Sequence, residues 1–115
     1  MSATKLTLLN SSILTSFGTY VYEPLTLEKA CALVSAFRQE GKPIQSAIGH
    51  EATAALLSDL FGIAVAVNRI KHRQTVEDTV VVFILNYERL PERKVLSREE
   101  LEEIGYEFGL LRRIA

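Results

Sequence analysis

The order of apolar and polar residues predicts two strands followed by a helix in the first third of the chain. Residues 5–9 alternate and then become apolar, and residues 19–22 are rich in aromatic and β-branched side chains, which is typical of strands. Pro24 closes the second strand. Apolar side chains then recur at intervals of three and four, which predicts a helix over residues 27–39. Thr26 can cap its start, and Gly41 and Pro43 mark its end.

The middle of the chain predicts a second helix and a group of strands. Residues 52–57 form a strong helix-forming run, and Gly62 supplies a stop. We expect a short strand at residues 63–67 and a second one at 70–74, where Ile70, His72 and Gln74 share one face. A turn at residues 77–78 then leads to residues 79–85, an unbroken apolar run that indicates a central strand buried on both faces.

The last third of the chain predicts a charged loop, a helix and a strand. Residues 89–94 are charged and include Pro91. Ser97 and Glu100 form a capping box for a helix that ends near Ile104, and residues 110–114 look like a closing strand. We therefore expect one α+β domain over residues 1–115, with a mixed central sheet of five or six strands and three main helices packed against it. The sheet should include an antiparallel pair formed by residues 69–74 and 79–87.

Composition limits the kinds of partner. The 115 residues are 48% apolar and 23% charged, as in a folded globular protein, and the net charge is −1. A protein that coats long DNA or RNA usually has a broad basic face, so we expect no long nucleic acid partner. We also expect no membrane span, because no apolar run is long enough. The single Cys31 should be a buried core thiol, and we expect an intracellular, cytoplasmic protein.

The candidate chemistry centres on the start of the second helix. Gly49 lies where the chain bends into that helix, and His50 opens its first turn. Unpaired amides at a helix start favour a bound anion, and a histidine there can donate a proton to it. The alternative is that His50 only fills space or binds water, as many histidines at helix starts do.

Other chemistry is poorly supported by the sequence. His50, His72 and Cys31 lack the short spacing of metal ligands, so we expect no metal and no cofactor. Phosphate-cradling glycine motifs and nucleophile elbows are missing too. Metal-free acid–base chemistry remains, and RNA permits it because its own 2′-hydroxyl can attack the adjacent phosphate.

Four segments of the chain resemble the viral ring nuclease family, small type III anti-CRISPR proteins that degrade cyclic tetra-adenylate. In order and at similar spacing they are Leu-Leu-Asn-Ser-Ser at 8–12, Ser-Ala-Ile-Gly-His-Glu-Ala-Thr at 46–53, Val-Asn-Arg at 67–69 and Arg-Leu-Pro-Glu at 89–92. The resemblance covers nearly the whole chain. Its most specific element is Ile-Gly-His entering a helix, combined with the later Arg-Leu-x-Glu loop.

The resemblance implies a homodimer that binds one cyclic tetra-adenylate across the subunit interface. It implies metal-independent cleavage to linear di-adenylates that end in a 2′,3′-cyclic phosphate. By motif, His50 matches the general acid and Glu92 the supporting carboxylate. The ligand-binding positions carried over in the same way are Asn10, Ser11, Ser12, Gly49, Arg69 and Arg89.

The chain departs from the family at two places. Arg93 stands where relatives often have glycine. Fewer residues separate the Asn10-Ser11-Ser12 turn from the next segment than in the archaeal viral members. Two other functions stay open. One is a binding protein that sequesters a cyclic nucleotide without cutting it. The other is an interaction protein of a virus or mobile element, in which Arg69, Arg89 and Glu92 are ordinary surface residues.

Overall fold

The computed structural model describes residues 4–10, 14–76, 78–85 and 97–115, which form five strands and three helices. The strands are β1 (Lys5–Leu9), β2 (Tyr20–Leu25), β3 (Ile44–Ala47), β4 (Asp78–Leu85) and β5 (Tyr106–Arg113). The helices are α1 (Leu27–Gln39), α2 (Glu51–Phe61) and α3 (Arg98–Ile104). Within these ranges, none of the helices has the length and apolar character needed to cross a membrane.

The five strands form one mixed sheet in the order β2-β5-β4-β1-β3. β1 runs parallel to both β3 and β4, whereas β5 is antiparallel to β4 and β2. β4 occupies the middle position, and its first six residues are all buried. The predicted α+β class, the mixed sheet and the central strand are therefore confirmed.

The two faces of the sheet are covered differently. Alternate residues of the strands point to opposite faces. On one face Leu6, Leu8 and Phe83 pack in a large apolar cluster with residues of the three helices. The opposite face, here called the second face, has a smaller apolar cluster made of Leu9, Ala47, Val80, Val82 and Leu111.

The helix boundaries follow the local signals in the sequence. The Thr26 hydroxyl accepts a hydrogen bond from the Lys29 amide at 3.1 Å, so the predicted cap of α1 is confirmed. Both bonds of the capping box at Ser97 and Glu100 are present at the start of α3. Gly62 ends α2 with φ of 66°, a left-handed conformation that glycine adopts without steric cost.

The two strands predicted within residues 63–74 are wrong. β3 occupies the sheet position beside β1. Residues 63–67 form no strand, and they join this edge through an isolated parallel bridge between Val67 and Ile48, just after β3, and through the Ser46 hydroxyl, which donates to the Ala66 carbonyl. The antiparallel partner of β4 is β5, not residues 69–74. Residues 69–75, here called the strap, belong to no strand. Their alternation arises because His72 and Gln74 bury their side chains while Lys71 and Arg73 are exposed. Ile70, predicted on the same face as His72 and Gln74, is exposed instead.

Smaller differences concern strand limits and one thiol. Asp78, predicted in a turn, is the first residue of β4. β2 continues through Pro24, which an edge strand tolerates because its outer side needs no amide donor. β5 begins four residues earlier than predicted, at Tyr106. Cys31 is half-buried rather than buried, and its thiol donates to the Leu60 carbonyl at 3.3 Å.

Candidate functional site

The parallel pairing of β1 and β3 brings two predicted site segments together. Leu9 is paired with Ala47, so the carboxyl ends of both strands lie side by side. Asn10 follows β1 directly, and Gly49 and His50 follow β3. Open sheets with parallel strands usually bind ligands at this edge. The topology therefore explains why segments that are far apart in the sequence meet at one place.

His50 is the N-cap residue of α2, one position earlier than the first-turn position expected from the sequence. Its backbone is extended, with φ of −131° and ψ of 134°, and its carbonyl accepts from the Ala54 amide at 3.0 Å. The His50 side chain makes no capping hydrogen bond, and it is exposed. The amides of the first turn of an α-helix have no acceptor within the helix, so donors for a ligand lie next to His50 in the chain.

Arg69 is held next to His50 by a bond to the backbone. Its Nε donates to the Gly49 carbonyl at 2.6 Å. The neighbouring Asn68 fixes the chain to the end of β3, since its amide donates to the Ile48 carbonyl at 2.8 Å and its side chain to the Ser46 carbonyl at 2.7 Å. A Cβ at position 49 would lie 3.3 Å from Cγ of Arg69, so glycine permits this close approach.

Gly49, His50 and Arg69 line one open cleft with a volume of about 660 Å³. Its walls include Asn10, Gly49, His50 and Arg69. The structure therefore brings together four of the predicted site residues, which come from three separate segments. Leu85 ends β4 at the same edge of the sheet, because β4 is parallel to β1. The other predicted site residues, Ser11, Ser12, Arg89 and Glu92, and the atypical Arg93 lie outside the described residues.

Two further residues of the cleft were not assigned from the sequence. Lys71 and His72 belong to the strap and both line the cleft. The grouping of Arg69, Lys71 and Arg73 in the sequence indicated a local anion site. It did not indicate which of the three cations line the same cleft. The alternation placed His72 on one face with Gln74, but it did not indicate that His72 would pair with Asp78 of β4.

The arrangement is suited to an anion that needs a proton. Arg69 has four guanidinium N–H groups besides the one bonded to Gly49, and Lys71 adds an ammonium. An imidazole beside these groups can donate a proton to a phosphate ester oxygen. Within the described part of the chain, no group of three or more His, Cys, Asp or Glu residues is placed to hold a metal ion.

Comparison with known proteins gives a consistent result. A family model described as STIV B116-like matches residues 6–108. The chain is 37% identical over 106 residues to protein YddF of Bacillus subtilis (strain 168), covering 92% of this chain and 94% of YddF. It is 40% identical over 87 residues to protein 26 of Sulfolobus islandicus filamentous virus, covering 75% and 69% of the two chains.

A solved structure shares the fold. It is B116 of Sulfolobus turreted icosahedral virus, which superposes with a TM-score of 0.72 at 26% sequence identity. The match covers 95% of this chain and 99% of B116. The similarity therefore extends over the whole sheet and all three helices rather than over a shared fragment.

Proposed function

This chain belongs to the STIV B116-like family, a family with viral members, and from that premise we propose that it is a metal-independent nuclease for cyclic tetra-adenylate. The products would be linear di-adenylates with a 2′,3′-cyclic phosphate, and the consequence would be an end to type III CRISPR signalling. One observation carries the proposal. Asn10, Gly49, His50 and Arg69, which the resemblance singled out in three segments, line a single cleft.

The proposed reaction uses a nucleophile that the substrate supplies. A ribose 2′-hydroxyl gives up its proton to water while its oxygen forms a bond to the adjacent phosphorus, and the bond from phosphorus to the 5′-oxygen breaks. The leaving 5′-oxygen then takes a proton from the His50 imidazolium. His50 is suited to this role because it is exposed in the cleft and its side chain is not used as a helix cap.

The charged groups around His50 support binding of the phosphate. Arg69 is anchored to the Gly49 carbonyl, so its guanidinium is ordered before the ligand arrives. The first-turn amides of α2 add donors at the same edge. In this proposal Arg89 is a further phosphate contact and Glu92 supports the imidazolium. Both follow β4, which ends at this edge of the sheet.

The proposal includes a homodimer. A ring with four phosphates and near-fourfold symmetry presents each phosphate environment repeatedly, so two copies of one cleft can bind it across a two-fold axis. Doubling a small group of cations also matches the ligand charge in a chain whose net charge is only −1. Light scattering at micromolar concentration should give the mass of a dimer, and a monomer both with and without ligand would contradict this part.

Replacement of Arg69 tests the phosphate contact. We expect Arg69→Ala to weaken binding of cyclic tetra-adenylate by about 1.5–3 kcal/mol, the range for a hydrogen bond to a charged group. Arg73→Ala is the matched control, because Arg73 is exposed on the same strap but is not among the cleft residues. Calorimetric titration at moderate salt gives both affinities. Equal losses of affinity in the two variants would show that Arg69 is an ordinary surface cation.

A further inference from the structure

We propose that Lys71 is a second phosphate-binding cation of the cleft and that the buried His72 keeps it in place, acting through Asp78. His72 is thus a positioning residue, while Lys71 contacts the ligand. The inference rests on the proposed function and extends it to two residues of the strap that the resemblance does not assign. Its evidence is a set of hydrogen bonds beneath the cleft.

The first observation is a buried polar pair under the strap. His72 Nε2 lies 2.5 Å from Asp78 Oδ2, and the two side chains are 4% and 1% exposed. The other carboxylate oxygen accepts from the Thr7 hydroxyl at 2.8 Å. Thr7 and Asp78 belong to the adjacent parallel strands β1 and β4 and point to the second face. Because buried polar groups are costly without partners, these bonds fix His72 over the sheet.

The second observation is that the strap is fastened on both sides of Lys71. On one side Arg69 Nε bonds to the Gly49 carbonyl. On the other side the side-chain oxygen of Gln74 accepts from the Thr15 backbone amide at 2.9 Å. The backbone carbonyl of Gln74 accepts from the Ser16 hydroxyl at 2.9 Å. The strap belongs to no strand, so side chains replace the ladder bonds that would otherwise hold it.

The third observation is the direction of the side chains. Within the strap His72 is buried while its neighbour Lys71 is exposed, and both line the cleft that contains His50. A lysine ammonium binds phosphate as a point charge at the end of a flexible side chain. Its contribution to the affinity therefore depends on the position of the lysine backbone. Because His72 is bonded to Asp78, the backbone of Lys71 is fixed before the ligand binds. This lowers the conformational entropy lost on binding.

The test is a double-mutant cycle on ligand affinity. Titrations of cyclic tetra-adenylate are carried out in the His50→Ala background, so that the ring is not consumed. We expect Lys71→Ala and His72→Ala each to weaken binding roughly tenfold, less than a complete charged hydrogen bond. The double variant should be no weaker than either single one, because His72 acts through Lys71. His72→Gln, whose amide can still donate to Asp78, should recover part of the affinity.

A matched control separates positioning from loss of stability. Val34→Ala removes buried volume from the cluster on the helical face, so it lowers the free energy of unfolding without touching the strap. Its affinity should equal that of the parent. If His72→Ala does not fold, Thr7→Val takes its place, because it removes only the hydroxyl that bonds to Asp78. Its loss of affinity should likewise disappear in the Lys71→Ala background.

The outcomes distinguish failure of this inference from failure of the proposed function. If the parent binds the ring but Lys71→Ala does not change the affinity, the inference is wrong and the proposed function stands. If losses from His72 and Lys71 multiply in the double variant, His72 acts independently of Lys71 and the positioning role is wrong. If the parent does not bind the ring at all, the proposed function is wrong and this inference falls with it.

Discussion

Replacing His50 with alanine should lower the rate of cyclic tetra-adenylate cleavage by roughly two to four orders of magnitude, the usual contribution of a general acid. The leaving 5′-oxygen would then depart without a proton donor. Binding should largely survive, because in the proposed complex Arg69 and the first-turn amides of α2 would still contact the phosphate. Single-turnover kinetics with labelled ring measure the rate, and titration measures the affinity.

His50→Gln provides the control for size and hydrogen bonding. Glutamine fills similar space and can donate a neutral hydrogen bond, but it cannot transfer a proton as an imidazolium does. We expect a loss close to that of His50→Ala. A His50→Gln protein that cleaves at the rate of the parent would show that His50 only fills the start of α2, the alternative that the sequence left open.

A ring without 2′-hydroxyls should not be cleaved at all, which is the second large effect. In the proposed reaction the nucleophile belongs to the substrate, so its removal eliminates the reaction rather than slowing one step. The deoxy ring should still compete for binding, because in the proposed complex the cations of the cleft would contact phosphate and not the 2′-oxygen. Competition measured with Arg69→Ala in parallel confirms that both rings use one site. Cleavage of the deoxy ring would mean that an external nucleophile attacks, and the role assigned to the ribose would be wrong.

The parts of the fold that could be predicted are those with local causes. The start of α1 at Thr26 and the capping box at Ser97 depend on bonds within one turn of helix. The central position of β4 was visible because a strand buried on both faces must be apolar throughout. These signals do not depend on what the rest of the chain does.

The errors occurred where tertiary contacts decide the structure. The sequence of β3, Ile-Gln-Ser-Ala, is short and half polar, and it forms a strand because β1 offers it a parallel edge. The strap shows the opposite case. Its alternation correctly placed His72 and Gln74 on one buried face, although Ile70, expected with them, is exposed. That face packs against the sheet instead of belonging to a strand of it. Periodicity reports which side is buried, not what buries it.

The same distinction applies to the candidate site. Gly49 and His50 could be found because the turn into a helix is a local feature, and Arg69 because it lies in a recognisable motif. Lys71 and His72 could not be found, since their place in the cleft follows from Asp78, Thr7 and the packing of the strap on the second face. The alternation of the strap indicated that His72 faces inward, but not that its partner is Asp78 on another strand.

The most direct test of the proposed function is to incubate the unmodified protein with cyclic tetra-adenylate in excess EDTA and identify the products by mass. We expect linear di-adenylates that end in a 2′,3′-cyclic phosphate, formed at the same rate with and without the chelator. Tight binding without any cleavage would identify a sequestering protein instead. Cleavage that stops in EDTA, or that yields no cyclic phosphate, would contradict the mechanism in which His50 protonates the leaving oxygen.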